Sequence, residues 1–321
     1  MKKIINVLLI VGLNLMWLNE AISQSQKGIV PANGIEIAYE SFGPIDGEAV
    51  ILIQGTGSQL TRWPKEFVEE LAGYGYRVIQ FDNRDVGLST KLDSLGTPDW
   101  ASIIPKIGTC DTSVLPYGLQ DMADDVIGLM DAMDIEKAHI VGVSMGGVIA
   151  QLLAFSYPER TLSLVLMMTS SGNPELPPED PEVLKIMSTP PPDTNNIKVL
   201  TEYVFHINKA LSSPGYPTSD AELREMAKRD IKRSWYPVGT ARQVAAIAME
   251  CDRREKLKKL DMPVIVIHGE NDPVVNIEAG RELARIIPDA KLVTFPGMAH
   301  DLPTSLMPKI SNVLKKISNG K

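Results

Sequence analysis

The sequence predicts an α/β fold: a mostly parallel, doubly wound sheet with a helical segment inserted late in the chain. Three observations predict it. Short apolar runs alternate with amphipathic helical patterns from residue 49 to residue 168. At 137–157, KAHIVGVSMGGVIAQLLAFSY, a buried-strand pattern runs into a buried-helix pattern through one tight glycine turn. From Gly172 to about Lys259 the alternation stops, and it resumes at Val264. Strands that alternate with helices pair in parallel, and ligands then lie at the carboxyl ends of the strands.

Residues 1–23 stand apart. Lys2 and Lys3 precede a mostly apolar run at 4–18, and Ala21-Ile22-Ser23 offers small residues at positions −3 and −1 of a cleavage site. This reads as a secretory signal peptide, so the remainder is expected to be exported, periplasmic or secreted. An uncleaved anchor is the alternative, although the run is short for a membrane span. No cysteine follows it to carry a lipid. Its removal takes the net charge from −8 to −9. An acidic chain of pI near 5.2 lacks the basic surface that nucleic acid needs. With 321 residues and 44% apolar content, the chain can bury a large core.

Residues 28–40 and 41–43 read as an opening antiparallel pair, because Ile35, Ile37 and Tyr39 alternate with polar neighbours. Residues 49–53 are a continuous apolar strand. The glycine-rich turn Gln54-Gly55-Thr56-Gly57-Ser58 follows, then a helix over 63–72 with Pro64 at its start. Strand 76–81 ends in the loop DNRDVGLS at 82–89. The helix at 119–133 is acidic and amphipathic, and Asp124 and Asp125 read as its solvated face. Strand 162–168 closes the first half. Prolines 174, 177, 178, 181, 190, 191 and 192 then open the insertion, followed by helical patterns at 196–211, 220–235 and 239–260. Strand 264–268, helix 277–287, strand 291–295 and a final helix near 304–317 restore the alternation. The expected division is therefore a core of residues 24–171 and 261–321 with a helical insertion at 172–260. Cys110 and Cys251 can pair in an oxidising compartment or remain two separate thiols; without clustered histidines they make no zinc site.

The chemistry starts at Gly142-Val143-Ser144-Met145-Gly146, a G-x-S-x-G. The bare pattern is common by chance; the strand before it and the helix after it give it weight. A serine on such a turn has a strained backbone, and side chains two residues to either side would clash, hence the glycines. The Met145 N–H falls in the first helical turn, where donors are unpaired and the dipole favours an anion. Downstream, Asp272 lies in GENDP after strand 264–268, and His300 lies in GMAHD after strand 291–295. A serine hydroxyl needs a base in contact, and imidazole suits that work. A carboxylate must orient the ring. Ser144, Asp272 and His300 at successive sheet ends are the candidate nucleophile, acid and base. His139 and His268 read as structural groups within strands, His206 as a surface or insertion-packing residue, and Asp180 as part of a surface loop.

These segments carry a resemblance. ILIQGTGSQL (51–60), RVIQFDNRDVGLST (77–90), GVSMGG, GENDPVV (269–275) and GMAHDLP (297–303) resemble the α/β-hydrolase fold family, with the aclacinomycin methylesterase-like carboxylesterase branch as the nearest look-alike. The resemblance spans nearly the whole chain after residue 23. It implies the triad Ser144, Asp272 and His300, an oxyanion hole from the Thr56 and Met145 N–H groups, and a cap matching the insertion. Relatives usually carry His-Gly where this chain has Gln54-Gly55, and glycine where it has Asp85. The implied activity is cleavage of carboxylic esters of small molecules through an acyl-enzyme, with no metal or cofactor. Leu200, Tyr203, Val204, Phe205, Ile207, Trp235 and Tyr236 would roof an apolar pocket, with Gly55, Phe205 and Trp235 the candidate substrate contacts. A lactonase or cofactor-free perhydrolase would use the same triad. An aminopeptidase or a non-catalytic binding protein fits less well.

Overall fold

The computed structural model describes residues 25–318, so the signal-peptide reading at 1–23 lies outside the described residues. Eight strands form one sheet in the order β1-β2-β4-β3-β5-β6-β7-β8. They are β1 Gln26–Ala32, β2 Ile35–Phe42, β3 Ala49–Ile53, β4 Arg77–Phe81, β5 Ala138–Val143, β6 Thr161–Met167, β7 Val264–Gly269 and β8 Lys291–Phe295. β1 and β2 are antiparallel to each other, and β2 is antiparallel to β4. Every pairing from β4 through β3 to β8 is parallel.

The opening hairpin turns earlier than expected. Its two turn residues are Asn33 and Gly34, with φ of 47° and 79°. Asn-Gly is the pair that a two-residue hairpin with two positive φ values demands, and it decides the register that side-chain alternation alone left open.

Alternation across the strands sorts the core into two layers. In β3, Ala49, Ile51 and Ile53 face one cluster and Val50 and Leu52 the other; all five are buried. The first layer packs under α2 (Leu119–Ala132), α3 (Met145–Ser156) and α8 (Ile277–Ile286). The second packs under α1 (Lys65–Gly73) and α9 (Met307–Ser318). Each fully buried aliphatic side chain contributes about 1.5–3 kcal/mol, so the two layers hold the sheet ends that carry the site.

One face of α2 corrects the sequence reading. Asp125 is buried, not solvated, and its two oxygens each lie 2.6 Å from Arg84 nitrogens. Burial raises its carboxyl pKa against the pull of Arg84. Asp124 is half-buried and accepts from Tyr157 Oη and Gln120 Nε2.

Between β6 and β7 lie α4 (Pro181–Met187), α5 (Ile197–Leu211), α6 (Asp220–Arg233) and α7 (Pro237–Ala248). The single helix expected over 239–260 is two pieces, α7 and a short turn at Arg254–Leu257. The break falls where the chain ties back to the core. Cys251 is joined to Cys110 by a disulfide, Cα to Cα 5.6 Å, which decides between pairing and two thiols. Two residues later, Arg253 N–H donates to the Ser171 carbonyl at 2.8 Å. Among the described residues, no helix is long and apolar enough to cross a membrane.

Candidate active site

The strand-to-helix turn after β5 has the strain that its sequence implies. Ser144 has φ 55° and ψ −120°, a conformation that costs of order 1–3 kcal/mol for a non-glycine residue. Packing enforces it. A Cβ on Gly142 would lie 2.2 Å from the Gly146 carbonyl oxygen, and one on Gly146 would lie 2.2 Å from that of Ile53. Ser144 N–H donates to the Met167 carbonyl at 2.9 Å, tying the turn to β6.

The turn after β7 supplies Asp272. Its Oδ1 accepts the N–H groups of Val274 and Val275, both at 2.9 Å. That leaves Oδ2, which lies 2.8 Å from His300 Nδ1. The loop after β8 supplies His300, whose Nε2 lies 3.1 Å from Ser144 Oγ. With Nδ1–H donating to Asp272, Nε2 presents its lone pair to the serine hydroxyl. The Asp272 side chain is fully buried and that of His300 nearly so. Three residues separated by 156 and 28 positions thus form one hydrogen-bonded line at the carboxyl ends of β5, β7 and β8.

Met145 is the first residue of α3, so its N–H has no acceptor within the helix. Gly55 approaches the serine closely; a Cβ there would lie 3.2 Å from Ser144 Cβ and 3.7 Å from Oγ. Thr56 follows directly, and its N–H makes no hydrogen bond among the described residues. Two unspent backbone donors therefore flank Ser144, one on each neighbouring element.

Residues 48–303 match the α/β hydrolase fold family. The chain belongs to that family. It is similar to rhodomycin D methylesterase of Streptomyces peucetius, 28% identical over 83% of this chain and 89% of the relative. It is also similar to 3-oxoadipate enol-lactonase 2 of Acinetobacter baylyi, 26% identical over 81% of this chain and 85% of the relative. Among solved structures, the meta-cleavage product hydrolase of Pseudomonas fluorescens superposes with a TM-score of 0.72. It shares 23% identity, covering 91% of this chain and 97% of that one, a likeness of fold.

This α/β hydrolase departs from family habit at Asp85, and the structure gives the reason. Asp85 has φ 67°, which glycine adopts freely and aspartate tolerates better than most residues. Both its oxygens are held by Arg242 from α7, at 2.7 and 2.8 Å, with both side chains fully buried. Burial opposes ionisation, but Arg242 and the Leu92 N–H prevail and hold the carboxyl below its ordinary range. The other departure, Gln54, is buried and turns its Oε1 to the Gly55 N–H at 3.3 Å.

The remaining histidines are placed as the sequence reading has them. His139 Nδ1 pairs with Ser163 Oγ at 2.7 Å, and His206 is exposed on α5. His268 Nε2 faces the Val275 carbonyl at 2.7 Å, and burial lowers its pKa. Asp180 caps α4 at the surface. Phe205 and Trp235 make their ring contacts inside the insertion. The Arg224 guanidinium carbon sits 3.7 Å over the Phe205 ring, and Trp235 meets Tyr203 edge-on at 6.2 Å. Phe205 is buried and packs between α5 and α6. Among the described residues, no group of three or more His, Cys, Asp or Glu is placed to hold a metal ion.

Sequence reasoning missed the residues that hold these loops from the insertion side. Ser213 Oγ accepts the Ala299 N–H at 2.8 Å and donates to Asp301, beside His300. Arg233 reaches the fully buried Asp82 at 2.7 Å. The single signal available was Asp85 itself: an aspartate in a glycine's place asks for a cation, although nothing local says which.

Proposed function

We propose that this protein is an exported serine hydrolase that cleaves small or medium carboxylic esters through an acyl-enzyme. The observation that carries the reading is the line Ser144 Oγ–His300–Asp272, at 3.1 and 2.8 Å. His300 Nε2 takes the proton of Ser144 as Oγ attacks the ester carbonyl. Asp272 holds the ring and stabilises the imidazolium. The Thr56 and Met145 N–H groups receive the oxyanion, a contribution of about 2.7–4 kcal/mol for each donor in comparable sites. His300 then protonates the leaving alcohol. A water, activated by the same imidazole, releases the acid and frees Ser144. The methylesterase relative supports ester cleavage. The enol-lactonase relative favours a second reading, in which the same steps open a cyclic ester. Export rests on residues 1–23, and the Cys110–Cys251 bond suits an oxidising compartment.

The test is turnover of chromogenic esters from acetate to decanoate, with aliphatic lactones alongside, by the wild type and Ser144→Ala. The wild type should turn over at least one series, and Ser144→Ala should lose about 10⁴-fold or more in kcat. Turnover that survives the substitution would remove Ser144 as nucleophile, and the preferred series separates ester from lactone.

A further inference from the structure

The glycine-rich loop after β3 is held from outside the sheet. One end touches Ser144 through Gly55, and the other touches α7. A Cβ on Gly57, whose φ is 64°, would lie 2.8 Å from Thr240 Oγ1. Three residues beyond Thr240, Gln243 is fully buried on the same helix. Its Oε1 accepts the Gly57 N–H at 2.8 Å, and its Nε2 donates to the Arg84 carbonyl at 2.9 Å. Its neighbour Arg242 is locked to Asp85, so the helix cannot slide along the loop without breaking a buried ion pair. On the core side, Asn83 Nδ2 donates to the Gln54 carbonyl at 3.1 Å. The Thr56 N–H, free of any partner among the described residues, lies within this braced span.

We infer that Gln243 is a positioning residue: it aims the Thr56 N–H at the oxyanion by clamping the next peptide, Gly57, to the Arg84 backbone. The inference rests on the acyl-transfer reading and adds a residue of the insertion to it. Oxyanion donors act only when held in place before the reaction, and a misplacement of about 1 Å costs about 10²-fold. Because the ground-state ester needs this donor less than the transition state does, the effect falls on kcat rather than KM.

The test compares wild type, Gln243→Met and Gln243→Glu. Gln243→Met keeps the length and removes both hydrogen bonds. Gln243→Glu keeps the acceptor for Gly57 and loses the donor to Arg84. Phosphonylation of Ser144 by a fluorophosphonate counts competent sites, so kcat is expressed per labelled serine and a misfolded fraction drops out. We expect Gln243→Met to lose about 10- to 100-fold in kcat per labelled site with KM within about twofold, and Gln243→Glu to fall between it and the wild type. Amide exchange should quicken in the peptide spanning 54–60 and stay slow in β5. Unchanged kcat per labelled site in Gln243→Met would overturn the inference alone. A wild type that neither labels nor hydrolyses any ester or lactone would overturn the acyl-transfer reading and the inference with it. In that case the exchange data would still report whether Gln243 pins the loop.

Discussion

The sheet and the insertion both hold the loops after β7 and β8, and they do so by different means. The sheet places the candidate side chains through its own backbone: a strained turn for Ser144, two turn N–H groups on Asp272, the end of β8 for His300. The insertion grips those loops mainly through their peptide groups. The Leu211 carbonyl accepts the His300 N–H at 3.2 Å, Gly215 N–H donates to Gly297 at 2.8 Å, and Asp180 N–H donates to Pro273 at 2.8 Å. Gln243 does the same for Gly57. A segment expected to roof a pocket is therefore also part of the frame, so damage to it should reach the chemistry without touching a reacting atom.

The largest way to break that frame is its buried ion pair. Removing one partner of such a pair leaves an uncompensated charge and costs about 3–5 kcal/mol. Arg242→Met should lower stability to urea by about that amount. Adding Asp85→Gly should recover most of it, because the charge goes and glycine accepts a φ of 67° without strain. The pH dependence has a definite sign. The Asp85 carboxyl titrates below its ordinary 3.8 in the folded chain, so its contribution is present above that value and lost as pH falls through the lower folded one. The cost of Arg242→Met should be largest near neutrality and shrink as pH falls, beginning above 3.8, because burial without the guanidinium favours the protonated Asp85 carboxyl. A double variant no more stable than Arg242→Met would remove Asp85 as the anchor.

The disulfide is the second tie between the two regions. It closes a separation of 141 residues, and a crosslink of that span restricts the unfolded chain by about 5 kcal/mol in loop-closure entropy. Cys110→Ser with Cys251→Ser should lower the thermal midpoint. At room temperature kcat should stay near that of the wild type, because Ser144, Asp272 and His300 are aligned by other contacts. A loss of kcat as large as that of Gln243→Met would assign the disulfide a share in aligning the loops.

The two regions also differ in how far the sequence disclosed them. Ser144, Asp272 and His300 each follow a short apolar run and sit in turns whose residue types are dictated locally. Continuous apolar runs and glycine placement therefore suffice to mark them as candidates. The opening hairpin was misread because alternation reports faces and not ends; Asn33-Gly34 held the missing information. Asp125 was misread as solvated because its partner, Arg84, lies 41 positions away. Gln243 and Gly57 are 186 positions apart, and Ser213 and Ala299 are 86 apart. Polar residues on an amphipathic helix carry no mark of whether they meet water or a distant peptide, so the frame is written in contacts that one sequence does not display.

The smallest expected effect tests whether the insertion roofs the pocket as well as framing it. Trp235 is half-buried and meets Tyr203 edge-on, a contact type worth about 0.5–1.5 kcal/mol beyond its buried area. Trp235→Ala should therefore cost about 1 kcal/mol of stability through the lost ring contact, added to the apolar area it uncovers. A roofing role adds a selective effect. Loss of about 1 kcal/mol of apolar contact is roughly a fivefold change in binding, so KM for an octanoate ester should rise about fivefold while that for acetate stays level. Equal changes on both esters would make Trp235 a residue that packs the insertion against itself. The acyl chain would then be enclosed by side chains of the sheet-end loops, with the insertion contributing through their backbones.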